Sequence, residues 1–354
     1  MTKIFLIRHA EAEGNIFRRA HGHQQGQITK RGHVQIKQLR DRFKDETIDV
    51  VYSSDLDRTC VTATAVAEPR GLEIHKTPDL REVNMGAWED MAWGDIEYHH
   101  KEMGYNFGFD PARWHVASSE TYEAVIARMT RFINTVAERH NDQTIALFSH
   151  GFAIRSFFCR LMNIESKDCT KLPYCDNTAV ALLSYDNGVF HIEYQGDNSH
   201  LCYEESTFAH QKWWRDDKNW VTENLRFTKL DAKRDAQLRQ SYCTDVGKEP
   251  CAELEYMAYL ADDPAGIVGF DVLNEHRGEI KYMYLLPEFQ NQNLGVQLIG
   301  TAIADLRKLR KRHLEITVPK DSPAQKLCSK HGFEVISESK SDVLMEKDIK
   351  NWHI

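Results

Sequence analysis

The sequence predicts an α/β protein of two units, a mostly parallel sheet clothed in helices followed by a second α/β unit of different plan. Three observations predict it. Apolar, β-branched runs of strand length alternate with segments of helical period over residues 3–162; the turn Asp186-Asn187-Gly188 then marks a hairpin; and a polar stretch separates this series from a fresh set of strands and helices.

The elements follow in order. Residues 3–7 read as a buried strand, 29–43 as a helix capped by Thr29, 48–52 as a strand, 55–67 as a helix and 72–75 as a short strand. A Gly- and Trp-rich stretch over 86–114 precedes a long helix at 120–140, a buried strand at 144–148 and a helix at 152–162. Residues 178–185 and 189–194 flank the hairpin turn, which adds an antiparallel edge to the parallel sheet. Polar residues 198–222, with Trp213, Trp214 and Trp220, read as the connection. Beyond it come a strand at 225–230, a helix near 232–242, strands at 252–260, 266–273 and 279–285, a helix at 294–312, a strand at 314–318, a helix at 322–331 and two closing strands. This gives a first domain at 1–201, a linker at 202–222 and a second domain at 223–354.

The composition is that of ordinary globular protein: 354 residues, 28% charged, 42% hydrophobic. A formal charge of −8 argues against binding nucleic acid by bulk attraction. The N-terminal apolar run, Ile4 to Ile7, is too short for a signal sequence or a membrane span, so the cytoplasm is expected. Cysteines 60, 159, 169, 175, 202, 243, 251 and 328 show no CxxC spacing and read as reduced thiols. Histidine pairs such as His21 with His23, or His99 with His100, lack neighbours at metal-site spacing, so no metal is expected. The sequence leaves the oligomeric state open.

The residues that carry chemistry fall at or after predicted strand ends, where ligands bind in open α/β sheets. They are Arg8-His9-Ala10-Glu11 with Asn15 beyond it; Ser53-Ser54-Asp55-Leu56-Asp57-Arg58; Leu80-Arg81-Glu82; and Ser149-His150-Gly151. In this order, with Gly86-Ala87-Trp88-Glu89 and Ser199-His200-Leu201, they resemble the histidine phosphatase superfamily that includes the phosphoglycerate mutases. The likeness spans about residues 1–201, with Arg-His-Ala a small-residue variant of the family's Arg-His-Gly. It implies a three-layer phosphoglycerate mutase-like domain in which His9 attacks phosphorus, Arg8, Asn15, Arg58 and His150 contact the phosphate, and Glu82 transfers protons. No cofactor is implied. The chemistry accounts for the residue types: a phosphomonoester carries close to two negative charges, so guanidinium forks must neutralise its oxygens before a neutral imidazole can approach. Mutases carry Glu-Arg-His-Tyr-Gly after the acid, where this chain reads Trp88-Glu89-Asp90-Met91-Ala92-Trp93, which favours a phosphatase over a mutase. In the family the segment corresponding to 86–114 borders the pocket mouth; its aromatics would form a lid or pack against the sheet.

In the second unit, Leu285-Leu286-Pro287-Glu288-Phe289-Gln290-Asn291-Gln292-Asn293-Leu294-Gly295 resembles the cofactor loop of the GCN5-related (GNAT) acetyltransferases, and residues 324–333 resemble that family's closing helix and turn. The likeness covers about residues 223–348 and implies a mixed sheet that binds acetyl-CoA. Leu285 and Gln290, Asn291, Gln292, Asn293, Leu294 and Gly295 would grip its pyrophosphate with backbone amides at a helix start. Asn293 replaces the family's first glycine, a position asparagine tolerates through its freedom of φ. Cys328 replaces the frequent tyrosine acid and would be the proton donor of acetyl transfer. The expected partners are therefore a small phosphomonoester and acetyl-CoA, with neither nucleic acid nor membrane. A CoA-sensing second domain that regulates the phosphatase is the alternative to acetyl transfer.

Overall fold

Why the first sheet forms is visible in one strand. In the computed structural model, which describes residues 1–211, 213–214, 223–231, 233–247 and 251–350, β1 (Thr2–Arg8) is buried at every position except Lys3. After it come α1 (Glu13–Phe17), α2 (Lys30–Arg42), β2 (Val50–Ser54), α3 (Asp57–Ala67), β3 (Ile74–Thr77), α4 (Trp93–His99), α5 (Lys101–Phe109) and α6 (Tyr122–Arg139). The series continues with β4 (Thr144–Ser149), α7 (Gly151–Leu161), β5 (Val180–Asp186) and β6 (Val189–Asp197). The remainder comprises β7 (Leu225–Lys229), α8 (Ala236–Val246), β8 (Leu254–Leu260), β9 (Asp263–Val272), β10 (Arg277–Leu285), α9 (Gly295–Lys308), β11 (His313–Pro319), α10 (Pro323–Lys330), β12 (Glu334–Glu338) and β13 (Asp342–Asp348).

The chain divides into two compact units. The first comprises Met1–Ala12, His21–Glu89 and His100–Lys218; the second comprises Glu13–Ala20, Asp90–His99 and Asn219–Ile354.

In the first unit the strand order is β3-β2-β4-β1-β5-β6. Strands β1 to β4 are mutually parallel where they pair, and β5 and β6 add the antiparallel edge. Side chains alternate across the strand, so Phe5 and Ile7 join one core with Ile36 and Leu39 of α2 and Ala63 and Val66 of α3. Ile4 and Leu6 are buried on the other face, and α6 and α7 pack onto β1. The result is three layers. Helix α6 earns its place through the stripe Val125, Met129, Ile133 and Val136, and Thr121 caps it by accepting from the Ala124 N–H. Arg8 stands opposite Ser149 and Ser53 opposite Phe148, so the carboxyl ends of β1, β4 and β2 end in one row.

The aromatic stretch after Gly86 is divided. Trp88 and Trp114, 1% and 2% exposed, pack against each other and against Phe107 as core, whereas Trp93 and Tyr98 belong to the second unit. In the connecting stretch, Trp214 stacks on Phe208 and Trp213 meets it edge-on; Trp220, with the rest of 215–222, lies outside the described residues.

The second unit has a mixed sheet, β12-β13-β11-β10-β9-β8-β7, in which only β10 and β11 run parallel. Two segments from early in the sequence complete it. The Ala20 N–H donates to Met91 and the Asp90 N–H to Ala20, each at 2.8 Å, and Phe17 enters the core beside Ile299 and Ile303 of α9. Gly300 makes this approach feasible, because a Cβ there would stand 2.6 Å from that of Phe17. Buried Glu13 accepts from Arg307 Nη2 at 2.8 Å and pairs with Lys347 Nζ at 3.3 Å, all three at most 9% exposed.

Removing Glu13 would leave two cations buried without their carboxylate. Breaking a buried pair costs about 3–5 kcal/mol, so Glu13→Ala should lower the stability of the second unit by that order in a denaturant titration. A loss under ~1 kcal/mol, the range of surface pairs, would show that these charges are effectively solvated.

Candidate active site

Within the first unit the row of strand ends brings together Arg8, His9, Arg58, Glu82 and His150. His9 follows β1 directly, and its backbone N–H donates to the Ser149 carbonyl at 3.0 Å. Its ring Nδ1 lies 2.7 Å from the Ala10 carbonyl oxygen. A carbonyl only accepts, so the proton sits on Nδ1 and the lone pair of the neutral ring on Nε2. Burial first, then the charges of Arg58 and Arg8, hold His9 well below the usual histidine range, against the opposing pull of the Ala10 carbonyl. The ring is therefore neutral at physiological pH.

His150 is the N-cap of α7, its ring centroid 5.1 Å from that of His9. Arg58 Nε donates to His150 Nδ1 at 3.2 Å, and His150 Nε2 donates to Ser54 Oγ at 2.9 Å. Burial, then Arg58, likewise keeps this ring neutral. Both nitrogens are engaged, so His150 orients Arg58 here, and could donate to a phosphate oxygen only by giving up one of these bonds.

Arg58 stands in the first turn of α3, 2% exposed. Its Nη1 donates to the Gln24 carbonyl at 3.0 Å, and Nη2 to those of Gly22 at 2.8 Å and His21 at 3.5 Å. Burial pushes its guanidinium down to about 10, still charged at neutral pH. Arg8 donates through Nη1 to the Cys175 carbonyl and rests over the Phe208 ring, while its buried Nε has no acceptor among the described residues. Gly151 gives it room, since a Cβ there would come within 3.3 Å of Nε. Neither arginine has an ion pair among the described residues. The rim arginines differ, for Arg81 pairs with Asp55 and Arg128 with Glu120.

Glu82 lies on a segment pinned by Arg128, which donates to the carbonyls of Asp79, Arg81 and Glu82. The Glu82 carboxylate accepts from the N–H groups of Phe152 at 3.1 Å and Ala153 at 2.9 Å, in the first turn of α7. Its charge is felt by both Arg8 and Arg58. Asn15 lies in α1, in the second unit.

Sequence reasoning missed the residues that hold the His9 backbone. Asn177 Nδ2 and the Thr178 N–H donate to the His9 carbonyl at 2.9 and 3.3 Å. Thr178 has φ +58°, a strained conformation for a β-branched residue. His200, read only as part of a motif, explains how it is kept there. Arg42 donates to His200 Nδ1, so Nε2 carries the proton and donates to Thr178 Oγ1 at 3.0 Å. Burial, then the Arg42 charge, lowers His200 to about 4 and keeps that tautomer neutral.

In the second unit, β10 pairs with β11 only from Arg277–His313 to Ile280–Ile316, after which both strands continue unpaired with each other. The loop from Leu285 to Gly295 leads from β10 into α9. Asn291 and Asn293 adopt φ +59° and +61°, left-handed conformations that asparagine accepts. Gln290 Nε2 ties the loop back to the Leu285 carbonyl at 2.9 Å, Gln292 Nε2 donates to Glu288, and Leu294 is the N-cap. Cys328, by contrast, is a core side chain, 0% exposed beside Phe333 and Val318. Burial pushes its thiol up to about 12. A residue so enclosed presents no proton to a ligand in this structure.

Residues 4–198 match the sequence model of the histidine phosphatase superfamily (branch 1), and residues 197–333 match that of the acetyltransferase (GNAT) family. Among similar proteins, phosphoserine phosphatase 1 of Hydrogenobacter thermophilus is 30% identical over 183 residues, covering 52% of this chain and 86% of its own. A probable phosphoglycerate mutase GpmB of Proteus mirabilis is 26% identical, covering 57% and 95%. Among solved structures, Bacillus stearothermophilus YhfR is similar with TM-score 0.55 and 26% identity, over 56% of this chain and 99% of that one.

The burial of Cys328 has a direct test. In the native chain iodoacetamide should alkylate exposed Cys202 and Cys251 and spare Cys328 until denaturant is added. Labelling of native Cys328 at a rate near that of Cys202 would mean that this core opens readily.

Proposed function

The chain belongs to branch 1 of the histidine phosphatase superfamily, and from that premise we propose that its first unit hydrolyses small phosphomonoesters, without a metal, through a phosphohistidine formed on His9. One observation carries this reading: two buried guanidiniums that have no ion pair with a carboxylate among the described residues, beside a neutral imidazole whose Nε2 holds a lone pair. Such an arrangement suits a dianion.

Arg8 and Arg58 take the phosphate oxygens, and His9 Nε2 forms a bond to phosphorus as the ester P–O bond breaks. The leaving oxygen takes a proton from the carboxylic acid of Glu82. In the second half the Glu82 carboxylate removes a proton from water, whose oxygen attacks phosphorus and frees the imidazole. Asn15, read from the sequence as a phosphate contact, lies in α1 of the second unit and has no part in this reading, while His150 is kept as the group that orients Arg58. A relative named as a phosphoserine phosphatase makes phosphoserine and esters of its size the first substrates to try. A mutase would divert the phosphoryl group to a second hydroxyl. The residues after Glu82 lack the mutase stretch, and hydrolysis is favoured.

For the second unit we propose that residues 290–295 hold the pyrophosphate of acetyl-CoA, beside the point where β10 and β11 part. The donor set fits, since backbone amides at the start of α9 need no particular side chain. When bound, that cofactor supplies an acetyl thioester. Cys328 has no role in this reading because it is enclosed. A regulatory reading has one observation in its favour: α1, which begins four residues after His9, is part of the second unit. It requires phosphatase kinetics that respond to acetyl-CoA.

Rapid quenching with ³²P-labelled substrate should leave an acid-labile, base-stable label that His9→Ala abolishes; label undiminished in that variant would exclude His9 as nucleophile. General acid catalysis contributes about 10²- to 10⁴-fold, so Glu82→Gln should slow alkyl phosphates by that order and aryl phosphates with good leaving groups far less. Equal losses on both would assign Glu82 to capping α7 alone.

A further inference from the structure

We propose that Glu89 is a positioning residue for Arg58, acting through the backbone of residues 22–24. The proposal rests on the reading of Arg58 as a phosphate-binding cation and names what fixes that cation in place. The Glu89 carboxylate accepts three backbone N–H groups: His23 at 2.7 Å and Met85 at 2.9 Å on Oε1, and Gln24 at 2.8 Å on Oε2. Arg58 takes the other side of the same loop, donating to the carbonyls of Gly22 and Gln24.

The two sets of bonds are linked by peptide geometry. The Gly22 carbonyl and the His23 N–H belong to one peptide unit, and in a planar trans peptide they point in opposite directions. No cis peptide is present among the described residues. Glu89 holding the His23 N–H therefore aims the Gly22 oxygen at Arg58 Nη2. The loop can come this close only because residue 22 is glycine: a Cβ there would stand 2.3 Å from the Val83 oxygen and 2.4 Å from Glu89 Oε1. The His23 ring closes the arrangement by donating from Nε2 to the Glu82 carbonyl at 3.0 Å. One carboxylate thus sets the loop that orients Arg58 and braces the segment that carries Glu82. Its charge also favours the guanidinium across the loop without pairing with it.

Glu89→Gln keeps the shape but replaces an acceptor oxygen with a donor. The experiment is a double-mutant cycle on the full chain, with Glu89→Gln, Arg58→Ala and the double variant, reading KM for phosphoserine, kcat, and competitive inhibition by inorganic phosphate. Glu89→Gln should weaken inorganic phosphate by about tenfold, the equivalent of one lost hydrogen bond to a charged group, with the thermal midpoint recorded alongside. In the Arg58→Ala background the same change should alter phosphate affinity by less than about twofold, because both act through one guanidinium. Additive losses, or no loss in Glu89→Gln while Arg58→Ala binds phosphate poorly, would overturn the proposal and leave the phosphate-site reading intact. Unchanged phosphate affinity in Arg58→Ala would instead sink that reading, and the proposal with it. Should Glu89→Gln fail to fold, Glu89→Asp completes the cycle, since its shorter carboxylate keeps the charge but cannot span all three N–H groups, and the same criteria apply.

Discussion

Two guanidiniums buried beside a neutral histidine are the constraint on which the first unit depends. Taking a charge out of water costs several kcal/mol unless its donors find partners, and Arg58 and Arg8 are only 2% and 8% exposed. The chain meets that cost with neutral acceptors: carbonyls of Gly22, Gln24 and Cys175, and the lone pair of His150. Neutral acceptors satisfy N–H groups without cancelling charge. Elsewhere in the same unit arginines meet carboxylates directly, whereas Glu82 acts on Arg8 and Arg58 through its field and forms no ion pair with either among the described residues. Burial first, and then the charges of Arg58 and Arg8, keep the His9 ring unprotonated.

Backbone carbonyls are good acceptors only when the backbone is fixed, and much of the surrounding structure fixes it. Glu89 holds residues 22–24, Arg128 holds residues 79–82, and Asn177 with Thr178 holds the carbonyl of His9. The left-handed Thr178 marks where this fixing has a conformational cost, of order 1–3 kcal/mol for such a residue. His200 and Arg42 offset it with hydrogen bonds. The site is thus a set of charged side chains hung on a pre-positioned main chain.

The architecture was largely legible in the sequence because period-two and helical patterns reach almost every long element, and strand ends place Arg8, His9 and His150 without further information. What stayed hidden has physical causes. A carbonyl acceptor has no side-chain signature, so the Gly22, Gln24 and Cys175 oxygens could not be read. Composition cannot tell an aromatic lid from an aromatic core, and Trp88 and Trp114 prove to be core. Nor can periodicity reveal that residues 13–20 and 90–99 complete the second unit, since the lock is the fit of Phe17 against Gly300 and of Glu13 between Arg307 and Lys347. Cys328 stands where a tyrosine acid is expected by position, but burial assigns it to packing.

The reactivity of His9 turns on the protonation state of its ring. Long-range ¹H–¹⁵N correlation of the His9 imidazole, assigned by comparison with His9→Ala and followed from pH 8 downward, measures it directly. The depressed range of His9 means that the neutral form persists as pH falls through the ordinary histidine value near ~6.5, with the proton on Nδ1 and a bare Nε2. A ring that titrates at the ordinary value, or that carries its neutral proton on Nε2, would contradict the account.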